Sequence, residues 1–271
     1  MKLLLLTILL NLAFNLGWCQ CLLTVSDDID LCRDNQTAYL NASTKNSLYY
    51  KWSPAVGLNA DNIPNPLATP ATTTTYYVEA LVTDPKELVY NGSFEEGNKG
   101  FSSAYKYTPD AMATIKNLSA GQYAISDLPS DVHDCFVQCT SNGKMLIVNG
   151  ANKPNVVIWS QTIKVEPKTD YAFSAFLQNV TCGGGSMALL QFSINNVLIG
   201  PVFQSDSITC VKSKFYSIWN SQNNTIAVIS IVNQATKDGG NDFVLDNISF
   251  RKSCRLFDSV KVSINRHFFF P

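Results

Sequence analysis

The densest grouping of reactive side chains in the chain is Asp131, His133 and Asp134, with Cys135 and Cys139 just behind. An imidazole between carboxylates can shuttle protons, and two added thiols imitate a zinc set. Either chemistry needs more groups brought to the same place: a nucleophile for hydrolysis, or a second Cys or His pair at finger spacing for zinc. No such pair follows, so the stretch reads as a polar surface loop. Gly183-Gly184-Gly185 would cradle a phosphate only ahead of a helix N-terminus; between strand-like segments it reads as a turn. No catalytic residue is assigned, and the chain is expected to be non-enzymatic.

The elements that would position any site follow an export signal. Lys2 precedes the apolar run Leu3 to Leu10, and small or polar residues surround Gly17 to Gln20. This is the pattern of a cleaved signal peptide, expected over 1–19, with cleavage after Gln20 the alternative. No later stretch has the roughly 20 apolar residues a membrane helix needs, so membrane insertion is not expected. The 20 Lys and Arg against 21 Asp and Glu give a net charge of −1 without a basic cluster. That removes the footprint of a nucleic-acid binder and points to a neutral partner. Eight cysteines in an exported chain read first as disulfides.

Helical periodicity is nearly absent. Short runs rich in Val, Ile, Thr, Tyr and Phe recur between Gly, Pro, Asn and Asp clusters, which predicts strands over 156–165, 171–180, 187–194, 215–219, 225–232 and 243–250. Tyr171, Phe173, Ala175 and Leu177 form one strongly apolar face, alternating with Ala172, Ser174 and Phe176. Asn195-Asn196 is a tight hairpin turn, since Asn tolerates left-handed backbone. Evenly spaced strands of this kind predict a β-sandwich. From Leu22 to Val82 the texture changes to Thr, Asn and Pro, with Trp52 as the core residue of a smaller sandwich.

Two resemblances sharpen this. Trp52-Ser53-Pro54-Ala55-Val56-Gly57-Leu58, then Ile63 to Pro70, then Thr74-Thr75-Tyr76-Tyr77-Val78 resemble the PKD-like, immunoglobulin-like repeat of surface proteins from gliding, polysaccharide-degrading bacteria. The last strand of that repeat does not follow Val82; its pattern appears at Cys254 to Ile264. Between them, Leu88 to Gly97 and Gly240 to Phe250 resemble the first and last strands of the galactose-binding-like jelly roll of carbohydrate-binding modules, as do Met145 to Gly150 and Trp159 to Ile163. The fold expected is therefore all-β, a jelly-roll β-sandwich inserted into a smaller immunoglobulin-like β-sandwich. Its bounds are 20–83 and 253–265 for the immunoglobulin-like domain and 86–252 for the jelly roll. The tail 266–271 resembles the entry to a gliding-motility sorting domain; the expected location is the medium or the cell surface, or the periplasm if that domain is absent.

The resemblances imply a non-catalytic, exported binding module for neutral polysaccharide, with a structural spacer or adhesin as the alternative. Tyr105, Tyr107, Trp159 and Trp219 are the candidate sugar-stacking residues, although Trp159 and Trp219 lie within strands and read equally as core. A structural calcium is implied, held by Glu95 and Asp246 with backbone carbonyls such as that of Lys99, because calcium takes about six to eight oxygens. The immunoglobulin-like repeat implies a Cys32–Cys254 disulfide. The flanks of the sheet region from Tyr171 to Trp219 suggest Cys182–Cys210, and proximity suggests Cys135–Cys139.

Overall fold

The computed structural model describes residues 22–32, 36–109, 117–139, 143–237 and 239–265. The expected signal peptide and the tail 266–271 lie outside them. The chain divides into two compact units, one formed by residues up to Asp84 together with those from Arg255 on, the other by Pro85–Cys254. Both are built of strands, so the all-β sandwich reading holds.

The first unit holds β1 (Thr24–Val25), β2 (Ile29–Leu31), β3 (Ala38–Tyr39), β4 (Ala42–Ser43), β5 (Ser47–Ser53), β6 (Leu67–Ala68) and β7 (Thr74–Thr83). The second holds β8 (Lys106–Tyr107), β9 (Gln122–Ser126), β10 (Met145–Asn149), β11 (Val156–Lys164), β12 (Asp170–Asn179), β13 (Leu189–Ile194), β14 (Val197–Gln204), β15 (Ser213–Asn220) and β16 (Ile226–Asn233). The last strand, β17 (Phe243–Ile264), gives its first part to the second unit and its final part to the first.

Alternation builds the first unit. Tyr50 and Trp52 face inward while Lys51 and Ser53 face out on β5, and Tyr76, Val78 and Ala80 do the same on β7, its antiparallel neighbour. Trp52 is fully buried, and its indole N–H donates to the Ile63 carbonyl at 2.9 Å, so its polar edge is satisfied. The Tyr76 hydroxyl donates to the Val56 carbonyl at 3.1 Å and packs on Gly57, where φ is +82° and a Cβ would lie 2.9 Å from that hydroxyl. Only glycine suits that turn. β17 supplies Val260 and Val262 to the same core, pairing with β7 and, in parallel, with β2.

The second unit is a sandwich of two sheets, ordered β15-β12-β17-β10-β9-β8 and β11-β16-β13-β14. The apolar face predicted on β12 forms the centre of the core: Phe173 stacks on Phe192 of the opposite sheet with ring centroids 4.0 Å apart, and Phe192 stacks on Phe215 at 4.6 Å. Offset and edge contacts among aromatics add to the burial they bring. Asn195 and Asn196 take φ of 52° and 64° and join β13 to β14 as the predicted hairpin. The hairpin's second strand, β14, is implied by that turn, but the sequence reading gives it no bounds. Its edge position leaves most of its side chains in solvent, so it lacks the apolar alternation that marks a half-buried strand.

Candidate functional site: the outer face of one sheet

Each strand of the six-stranded sheet turns one set of residues into the core and the other outward, and the outward set divides into two halves. Over β9, β10 and the start of β17 the outward residues are Ala124, Met145, Ile147 and Val244, and all are buried. Leu118, Val132, Phe136 and Cys139 of the segment 117–139 cover them. That segment is fixed at its end: Val137 N–H donates to the Val180 carbonyl at 2.9 Å, and disulfides join Cys135 to Cys182 and Cys139 to Cys210.

Over β12, β15 and the middle of β17 the outward residues form rows across three strands. Ile218, Ala172 and Arg251 make one row, Tyr216, Ser174 and Ser249 the next, and Lys214, Phe176 and Asp246 the third. A bulge sets this register. Ser174 pairs with Ser249 but Phe176 with Asp246, so β17 carries one residue more than β12 at that point, and Asn247 takes φ of 49°. The extra residue lets Ile248 and Leu245 both enter the core while Asp246 and Ser249 both face out. Gly92 follows from the same place: its carbonyl accepts from Ile248 N–H at 2.9 Å, and a Cβ there would meet the Ile248 carbonyl oxygen at 2.0 Å.

The chemistry of this second half is mixed. Small Ala172 and Ser174 form its floor, and the Phe176 and Tyr216 rings are only partly buried. Lys212 Nζ lies 4.6 Å from the Phe176 ring centroid and 3.2 Å from Asp246 Oδ2; Lys214 Nζ lies 5.8 Å from the same centroid. Glu87 lies beside β17 and accepts from Arg251 Nε and Ser249 Oγ, each at 2.7 Å. Burial, and then the charge of Arg251, hold the Lys214 ammonium below the usual lysine range. An aromatic ring among small residues, with amide, carboxylate and cationic groups at its rim, can cover the C–H face of a sugar and bond its hydroxyls.

The four aromatics predicted from sequence do not form this site. Trp159 is fully buried, stacking on Phe101, and Tyr105 is 5 % exposed; both are core residues. Tyr107 and Trp219 are partly buried against that core and belong to β8 and β15, the two opposite edges of the sheet. Strand periodicity accounts for this, because Trp159 and Trp219 share parity with neighbours that fill the core. The residues that sequence reasoning missed are Phe176, Tyr216, Lys212, Lys214 and Arg251. One signal was present: Phe176 is a large aromatic on the weaker face of β12.

The disulfide expectations also change. Cys135 and Cys139 are not joined to each other, nor Cys182 to Cys210. Phe136 and Val137 run along the end of β12, which carries Cys135 to Cys182 and Cys139 to Cys210. Cys32 is free and exposed, and Cys254 is in a different disulfide. Leu31 pairs with Ile264, so Cys32 lies level with residue 265 and eleven residues from Cys254 along β17. That is about 35 Å, far beyond disulfide reach.

Glu95 and Asp246 do not fit a shared calcium as they are placed. Asp246 takes the Lys212 ammonium and both amides of Asn247, Glu95 accepts from Lys144 N–H at 3.0 Å, and the Lys99 carbonyl accepts from Asn91. A divalent cation at Asp246 would stand beside an ammonium. Among the described residues no group of three or more His, Cys, Asp or Glu could hold a metal. His133 has a local role, its Nδ1 accepting from Cys135 N–H at 3.0 Å and its ring stacking on Phe136. No helix of the described residues is long and apolar enough to cross a membrane.

No family model matches the chain, and no curated protein matches it. Among solved structures it is similar to the CBM22-1 xylan-binding domain from Paenibacillus barcinonensis Xyn10C, at 15 % identity and a TM-score of 0.40, covering 59 % of this chain and 91 % of that one. A family 16 carbohydrate-binding module is similar at 16 % identity and a TM-score of 0.36, over 60 % of this chain and 98 % of that one. The C-terminal domain of EclA, a sugar-binding protein, is similar at 13 % identity and a TM-score of 0.35, over 46 % of this chain and 89 % of that one. At these scores the likenesses say nothing of ligand or site.

Proposed function

We propose that the second unit is a non-catalytic carbohydrate-binding module of an exported protein, and that its site is the outer face of β12, β15 and β17. The observation that carries this is the contrast in rows on one sheet. Three strands turn Phe176, Tyr216, Ser174 and charged rim residues outward, where the neighbouring strands turn out an apolar set covered by the chain's own segment. Sugars are met by partly exposed rings with hydrogen-bonding groups around them, and this half of the sheet supplies both. Export is supported by the two disulfides of the unit, which belong to an oxidising compartment.

The test is a polysaccharide panel measured by affinity electrophoresis with the full chain, beside Phe176→Ala and Tyr216→Ala. Binding that both substitutions weaken, at an unchanged melting temperature, supports the site. A chain that binds nothing across the panel is a spacer or adhesin module instead.

A further inference from the structure

The net charge of −1 for the whole chain points to a neutral partner, but the charge on this face is distributed differently. Lys212, Lys214 and Arg251 face out beside Asp246 and Glu87. Lys212 is balanced by Asp246 at 3.2 Å and Arg251 by Glu87 at 2.7 Å. Lys214 has no carboxylate partner among the described residues, and it occupies the third row, directly across from Phe176.

We infer that the ligand of this face is an anionic glycan, carrying uronate carboxylates or sulfates, and that Lys214, with Lys212 beside it and Arg251 two rows away across β12, meets the negative group while Phe176 covers the ring that bears it. This rests on the reading of the face as a glycan site. Both ammonium groups lie over the Phe176 ring, 4.6 and 5.8 Å from its centroid, so a pyranose that takes their place on that ring keeps its substituents within reach of both. A neutral sugar leaves the surplus cation unanswered. The Lys214 ammonium lies near the Arg251 charge, and a bound anion offsets that repulsion. Lys212 and Arg251 already hold carboxylates, so each offers only its remaining N–H donors, and Lys214 carries the charge selectivity.

The experiment uses the full chain and two matched pairs of polymers: polygalacturonate with its fully methyl-esterified form, and chondroitin sulfate with its desulfated form. The first pair tests carboxylate and the second tests sulfate. One or both charged members should bind well above their matched partner, and binding should weaken as sodium chloride rises from about 50 to about 500 mM. Lys214→Gln should lower affinity for the preferred charged polymer by about three- to tenfold, the range of one charge-assisted contact. Its melting temperature should not move. Lys164→Gln, on a strand of the opposite sheet, should leave binding unchanged. Equal binding within both pairs, or an unaltered affinity in Lys214→Gln, overturns the inference and leaves the glycan site standing. Equal loss in Lys164→Gln also overturns it, by showing attraction to the whole surface. No binding to any of the four polymers, or to the wider panel, removes both readings.

Discussion

The two halves of the outer sheet face in the second unit are built on the same strands and end differently. On β9 and β10 the outward positions are apolar and carry a lid of the chain's own, tied down by two disulfides. On β12 and β15 the outward positions are small, aromatic and charged apart from Ile218, and the same disulfide-tied segment stops short of them, with the Cys210 carbonyl at the boundary accepting from the Gln178 amide at 3.1 Å. An apolar face must be covered to be stable, whereas a mixed face can stay in water. The pattern of side chains on a face therefore separates the part that holds the fold from the part left for another molecule.

Substitutions on the two halves should behave oppositely, and the largest effect belongs to the covered one. Ile147→Ala removes a fully buried side chain between lid and sheet, and chemical denaturation should show a loss of about 2 to 5 kcal/mol. Replacing Cys139 and Cys210 together by alanine frees the lid. The bridge closes a sequence separation of 71 residues, and its loss should lower stability by about 2 to 4 kcal/mol, read by the denaturation midpoint. Phe176→Ala on the uncovered half should cost about 1 kcal/mol of stability or less. Calorimetric titration should nevertheless show about a tenfold or greater loss of glycan affinity. If Phe176→Ala destabilises as much as Ile147→Ala, the two halves are not different in kind.

The smallest effect concerns Asp242, just before the covered part of β17. Its carboxylate accepts from Gly150 N–H at 3.0 Å, and burial raises its pKa above the usual aspartate range, against the lowering effects of that hydrogen bond and of His133. The folded protein therefore holds a proton that the unfolded chain has released in the window from 3.8 upward to the raised value. Stability from this group is greatest at low pH and falls as pH rises through that window. Asp242→Asn keeps an oxygen acceptor and cannot ionise. Melting temperatures between about pH 4 and pH 7 should show a flatter profile in the variant, without loss at neutral pH.

Much of the fold was legible because strand periodicity is strong where one face is buried. The alternation at Tyr171 to Leu177 and the Asn195-Asn196 turn are local signals, and both appear in the structure where the sequence placed them. The site was not legible in the same way. Chemistry marks tryptophan and tyrosine as sugar-stacking residues, but the face a residue occupies is decided by parity within its strand and by bulges such as the one at Asn247. The disulfides were hidden for a related reason. Cysteine spacing along the chain does not reveal that Phe136 and Val137 travel beside Val180, and that path alone chooses the partners of Cys135 and Cys139.

β17 has a consequence for how the protein is made. Its final part lies between β2 and β7 in the first unit, and those two strands are synthesised some two hundred residues earlier. Until residues 255–264 emerge, the first unit lacks the strand that carries Val260 and Val262 into its core, and the edges of β2 and β7 stand unpaired. An exposed edge is an invitation to pair with another chain. The second unit, whose strands are complete by Phe250, can fold in that interval. The portion of the protein that is born first must finish last, so the stretch of time between Thr83 and Arg255 is when the nascent chain is most open to a wrong partner.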